Sequence, residues 1–185
     1  MNEKLPFVKG DSVVYPAHGV GCVQGIETQE VEGEKIKVIA IHFEQERMVV
    51  RVPLERIAMS GLRALSSPEK LRNALKILKG RSRPRRMMWS RRAQEYEAKI
   101  NSGDLDAIAE VVRDLFRGDT QTEQSYSERQ LYQAALDRLA RELAAVEEID
   151  STTATTRLEM LLQKAAVKPV AASVDTATNT STEVL

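Results

Sequence analysis

Residues 81–92 read Arg-Ser-Arg-Pro-Arg-Arg-Met-Met-Trp-Ser-Arg-Arg, six arginines around the only tryptophan of the chain, Trp89. Guanidinium groups at this density hold the oxygens of a polyanion, most often a phosphate backbone. The indole adds what charge alone does not supply, a ring that stacks on a base or wedges between base steps. The setting matters, because Lys+Arg and Asp+Glu number 27 each over the whole chain. Lys+Arg against Asp+Glu is 7 against 9 over residues 1–62, 12 against 3 over 63–100 and 8 against 15 over 101–185, balances of −2, +9 and −7. A neutral chain that gathers its positive charge into one short region has a local electrostatic footprint.

On this pattern the candidate nucleic-acid contacts are Arg85, Arg86, Arg91 and Arg92 on phosphates, with Trp89 entering a groove. Each phosphate neutralised steepens the salt dependence of binding by roughly 0.9 in log–log slope. The same residues also fit a solvated connector in which Trp89 anchors a helix start against the core, since tryptophan is usually well buried. Local sequence leaves these two roles of Trp89 open, and charge does not separate DNA from RNA.

Other chemistry finds little support. His18, Cys22 and His42 are the only soft ligands, and a zinc site needs three or four at recognisable spacing, so no metal is expected. No P-loop, nucleophile elbow or paired-histidine motif occurs, and Gly19-Val-Gly21 is a hairpin signal too short for a dinucleotide fingerprint. No catalytic residue and no cofactor are expected; an enzyme is not the reading.

The elements that must position the basic segment change grammar along the chain. Ser12–Tyr15, Gly19–Ile26, Lys35–Phe43 and Arg47–Val52 are short β-branched runs separated by Pro16-Ala-His-Gly19, Glu32-Gly-Glu34 and Glu44-Gln-Glu46. In the third run Ile36, Val38, Ala40 and His42 alternate with Lys37, Ile39, Ile41 and Phe43. Four or five such strands with tight turns predict a small, strongly bent barrel over residues 1–62. Pro53 ends the last long strand.

Near residues 60–66 the period becomes helical. Ser67-Pro68-Glu69 places a cap, a first-turn proline and a dipole-favoured acid ahead of a helix running to about Lys79. A second helix is predicted from Met87–Trp89 to Ile100, a third from Asp104 to Phe116, and a fourth opening at Ser127–Glu128 with Leu131, Ala135, Leu139, Leu143 and Val146 on one stripe. A weaker helix spans 151–166. These make a compact all-α domain over residues 66–166, and 167–185 read as a disordered tail. The fold class expected is therefore α+β.

The bounds agree with a protein of the cytoplasm. One cysteine, Cys22, suits a reducing compartment. No run approaches the roughly 20 apolar residues of a membrane span, and the N-terminus carries no secretory pattern. No membrane partner is expected, and both units look able to fold as a monomer. The β module suggests a docking platform for another protein, with an exposed arginine such as Arg51 pairing with a partner carboxylate.

Gly10-Asp-Ser-Val-Val-Tyr-Pro-Ala-His-Gly-Val-Gly21, Val50-Arg-Val-Pro53, Trp89-Ser-Arg-Arg92 and Ala109-Glu-Val-Val-Arg-Asp-Leu-Phe-Arg117 resemble the CarD/CdnL family of bacterial transcription regulators. The resemblance covers about residues 6–165, in order; the N-terminal part is also similar to the polymerase-interaction module of the transcription-repair coupling factor. It implies a Tudor-like β-barrel docking on the β subunit of RNA polymerase, and a helical domain on promoter DNA. It implies that Trp89 wedges into the minor groove at the upstream edge of the bubble, stabilising the open complex, which would make the protein nucleoid-associated. It places Arg51 at a polymerase contact, together with Gln29, Met48 and Val50. Gln29 stands where some relatives carry a second arginine, and Gln94 where some carry a lysine, so the basic load here has moved N-terminally to Arg81–Arg86. A stand-alone DNA- or RNA-binding protein that needs no polymerase is the other reading of the same residues.

Overall fold

A computed structural model describes residues 7–83, 86–118 and 124–167. The chain is α+β, with an antiparallel sheet followed by a helical domain. The strands are β1 (Ser12–Tyr15), β2 (Gly19–Val31), β3 (Glu34–Phe43), β4 (Met48–Pro53) and β5 (Arg63–Ala64), in the order β4-β3-β2-β1-β5. β2 runs further than its β-branched start suggests. It continues to a two-residue turn at Glu32-Gly33, where both φ angles are positive, at 54° and 85°. The register of β2 on β3 slips between Val23 and Gly25. This bulge bends the long hairpin. The sheet closes on Val13, Val23, Ile39, Ile41, Phe43, Val52 and Leu62, the Tudor-like module implied by the family resemblance.

Gly21 has a packing reason. A Cβ there would lie 2.7 Å from both Ile41 Cγ2 and Phe43 Cε1, so β2 lies on the core at a distance only glycine allows. After Pro53 a 3₁₀ turn (Leu54–Arg56) and one α-turn, α1 (Ile57–Ser60), lead to β5. These pieces are too short to show a period, which is why the sequence reads simply as the end of the module there.

The helical domain contains α2 (Pro68–Leu78), α3 (Trp89–Asn101), α4 (Leu105–Leu115), α5 (Tyr126–Glu147) and α6 (Ser151–Val167). Ser67 caps α2 by accepting from the Lys70 N–H, and Asp104 caps α4 through the Ala107 N–H. α4 is the central helix: Leu105, Ile108, Ala109, Val111, Val112 and Leu115 are all buried, and α2, α3 and α5 pack around it. The long helix opens earlier than Ser127–Glu128. Ser125 is its cap, and a reciprocal bond from the Ser125 N–H to Glu128 completes a capping box.

The two units meet through buried charge. Arg63 of β5 pairs with Glu142 of α5 by two parallel bonds, Nη1–Oε1 at 2.7 Å and Nη2–Oε2 at 2.9 Å. The Glu142 side chain is 3% exposed, and Oε1 also accepts the Ser66 N–H at 2.9 Å. Arg63 reaches further, donating to the Gly103 carbonyl between α3 and α4. Gly103 lies at φ +69° with its Cβ direction 3.2 Å from Pro16 Cα, so the β1–β2 turn sits directly on this corner. Arg138 of α5 donates to the Pro16 and Ala17 carbonyls, and Arg141 to the Gln45 side chain. Burial first, then the Arg141 charge, pull the Arg138 pKa below the ordinary arginine range.

Two outcomes follow for stability. Arg63→Met leaves the Glu142 carboxylate buried without its cation and should cost about 3–5 kcal/mol in urea unfolding, most of it recovered in the Arg63→Met/Glu142→Leu double variant. Gly21→Ala should cost about 1–3 kcal/mol in the same measurement, because Ile41 and Phe43 must move.

Candidate functional site

The basic connector between α2 and α3 is fastened from beneath. Asp114 of α4 is 6% exposed and accepts from the Arg83 backbone N–H at 3.2 Å and from Arg113 Nε at 2.9 Å. Its carboxylate therefore holds the connector on the core at Arg83, while Arg81, Arg83 and Arg86 are exposed. Arg81, Arg83, Arg86 and Arg91 are exposed and have no side-chain acid partner among the described residues. Arg85 lies outside the described residues. In a chain with equal numbers of acids and bases, unpaired arginines in one segment concentrate positive potential there.

α3 adds to this potential through its backbone. Ser67, Asp104 and Ser125 cap α2, α4 and α5, and the Asp150 carboxylate accepts the Thr153 N–H at the start of α6. α3 instead begins behind Met88, with no side-chain cap, no acid in its first turn, and Arg91 and Arg92 in that turn. Basic residues at a helix N-terminus oppose the macrodipole, and the free N–H groups of the first turn point at whatever lies in front. This is a poor way to stabilise an isolated helix and a good way to hold an anion.

Trp89 is the first residue of α3 and is half-buried, with part of its ring packed on the helical core. Its Nε1–H donates to Ser127 Oγ at 2.9 Å, and the Arg92 guanidinium lies over the ring at 5.2 Å from its centroid. Trp89 is thus anchored on the core and through its N–H while remaining partly exposed. Arg92 differs from its neighbours. It bonds Glu128 Oε1 through Nη2 at 3.4 Å, and its side chain is 20% exposed. Nearby, burial and then the Asp114 charge push the Tyr96 phenol above its ordinary range, so it stays neutral.

The residues expected to dock, Arg51, Gln29, Met48 and Val50, divide between the two faces of the sheet. Arg51 pairs in register with Ala40, and Glu27 with Val38. Arg51 Nε bonds Glu27 Oε2 at 2.8 Å, so an ion pair arches across β3 over Val38 and Ala40, both buried. Gln29 lies opposite Ile36 on this same face. Met48 and Val50 pair with Phe43 and Ile41 on the other face, where they pack against the barrel core. β4 is an edge strand of the sheet.

Ser127, bonded to the Trp89 N–H, and Glu128, which holds Arg92 and Arg117, have no site role in the sequence reading. The pattern Ser125-x-x-Glu128 is a local signal for Glu128 as part of a capping box, whereas nothing local ties Ser127 to the indole. Among the described residues no cluster of His, Cys, Asp and Glu is placed to hold a metal, and no helix is long and apolar enough to cross a membrane.

The comparisons match both units. Residues 7–66 fit the CarD-like/TRCF RID domain, and residues 73–159 the CarD C-terminal domain. The chain is also similar to the Bacillus subtilis (strain 168) protein named "Putative transcription factor YdeB", 31% identical over 143 residues, which is 77% of this chain and 94% of that one. With both domains matched in chain order and a relative covered almost end to end, the chain belongs to the CarD/CdnL family of bacterial transcription regulators.

Proposed function

We propose that this protein regulates transcription by bridging RNA polymerase and promoter DNA. The β module docks on the β subunit of polymerase through the Arg51 and Gln29 face of the sheet. Met48 and Val50 support that face from the core side. The helical domain brings Trp89 to the minor groove at the upstream edge of the bubble, and Arg85, Arg86 and Arg91 lie against the phosphates. The open complex is thereby stabilised. On this reading the protein works in the cytoplasm, on the nucleoid, as a monomer.

One observation carries the proposal. A half-exposed tryptophan stands at an uncapped, arginine-flanked helix start, and that helix belongs to a domain bonded to the sheet through Arg63–Glu142. Wedging costs a few kcal/mol of unstacking per step, and least where the duplex is already opening. A protein held on polymerase needs little DNA affinity of its own, since tethering raises its effective concentration at one place. Three arginines with no base-reading constellation are then sufficient, and the contact is one of position and shape. Fold matching to a polymerase-interaction type of domain supports the docking half.

Trp89→Ala should leave polymerase binding intact and shorten the lifetime of competitor-challenged open complexes by about tenfold, the loss of roughly 1.4 kcal/mol of wedge contact. An unchanged lifetime removes the wedge. Arg51→Glu places a carboxylate beside Glu27 and should abolish co-purification with polymerase while the thermal unfolding curve stays close to that of the parent. Normal recovery of polymerase with this variant removes the docking face.

A further inference from the structure

We propose that Ser127 is a positioning residue for Trp89, so that the first turn of α5 sets the orientation of the indole. This rests on the reading of Trp89 as the DNA-contacting aromatic.

The geometry closes around the ring from three sides. Its inner part packs on the helical core, the Arg92 guanidinium covers a face at 5.2 Å, and its N–H is bonded to Ser127 Oγ at 2.9 Å. Glu128, one residue on, serves both the helix and the ring. Oε2 accepts the Ser125 N–H at 3.0 Å to close the capping box, and Oε1 holds Arg92 at 3.4 Å and Arg117 at 3.8 Å. The Arg92 Nε is buried with no hydrogen-bond partner. Its place is set by the ring below and the carboxylate beside it, at the expense of its own hydrogen bonding. These contacts hold the indole at its N–H, at one face and along its core-facing part.

The bond to Ser127 also answers a problem specific to tryptophan. An indole N–H pushed into a base stack loses its water, and an unmatched donor in a dry place is costly. Here the acceptor is built into the protein. The ring can enter a base step with its donor already satisfied, and with its orientation fixed beforehand. Ser127 is exposed; its Oγ lies 3.4 Å from Ser125 Oγ, while the cap bond to the Glu128 N–H is made by Ser125.

The test uses the full chain, and the single tryptophan as its own probe. Ser127→Ala should speed the local decay of Trp89 fluorescence anisotropy and shorten open-complex lifetime by about two- to tenfold, the range for one lost neutral hydrogen bond. Ser127→Thr, which keeps the hydroxyl, should restore both. Ser67→Ala is the control: it removes the cap of α2, away from the ring, and lowers the melting temperature, yet should leave the local anisotropy decay as in the parent. A parental open-complex lifetime in Ser127→Ala, with Trp89→Ala shortening it, overturns this inference and leaves the wedge standing. If Trp89→Ala has no effect on lifetime either, the wedge and the positioning role fall together.

Discussion

The reach of this molecule depends on one guanidinium–carboxylate pair closed across the join of its two units. Arg63 comes from the last strand of the sheet and Glu142 from the middle of α5, 79 residues later. Burying such a pair is expensive, and the cost is offset only when the geometry is bidentate and the remaining lone pairs find donors. Both conditions hold: two parallel bonds, the Ser66 N–H on the same carboxylate, and the Gly103 carbonyl on the guanidinium. The pair does not merely add stability. A guanidinium fork accepts one orientation of its carboxylate, so it specifies how β5 lies on α5 in a way that apolar contact would not. Arg138 and Arg141 fix the far side of the same helix to the Pro16–Ala17 turn and to Gln45. A sheet face and a helix start on separate domains therefore keep a set distance.

The start of α3 is the place where local helix rules are broken. Four neighbouring helices are capped by Ser67, Asp104, Ser125 and Asp150; α3 has only Met88 before it and arginines in its first turn. The isolated helix would be weakened by a few tenths of a kcal/mol per misplaced charge. Tertiary packing compensates, with Tyr96 and Ile100 buried on the core and Asp114 pinning the connector that leads into the helix. Conflicts between local preference and global fold gather at functional sites. The conflict here coincides with the half-exposed tryptophan.

Much of the fold was legible because period and punctuation agree. The alternation in Lys35–Phe43, the Ser67-Pro68 start and the apolar spacing of 105–115 each predict an element that forms within a residue or two of its expected ends. What escaped was set by contacts distant in sequence. Arg63–Ala64 is only two residues, a strand because β1 lies beside it, and the charges that join the units carry no local signal. At the site, the arginine density was visible, but Arg92 reads like its neighbours until Glu128 and the indole are placed around it. The family resemblance names Met48 and Val50 together with Arg51. In a strand adjacency means the opposite face, and both lie toward the core.

The ring itself carries the last step. A wedge that is free to turn must give up rotational freedom on entering a base step, and that loss weakens the bound state. A wedge buried outright cannot enter at all. Trp89 lies between these limits: its core-facing part and N–H are engaged, one face is covered by Arg92, and the remainder is exposed at an electropositive helix start. Because the helix is fixed to the sheet, ordering the sheet on a partner orders the ring as well. If polymerase supplies the location, the DNA contact has little searching left to do. The contact then works by persistence more than by affinity, which is the behaviour expected of a factor that prolongs one intermediate without choosing its sequence.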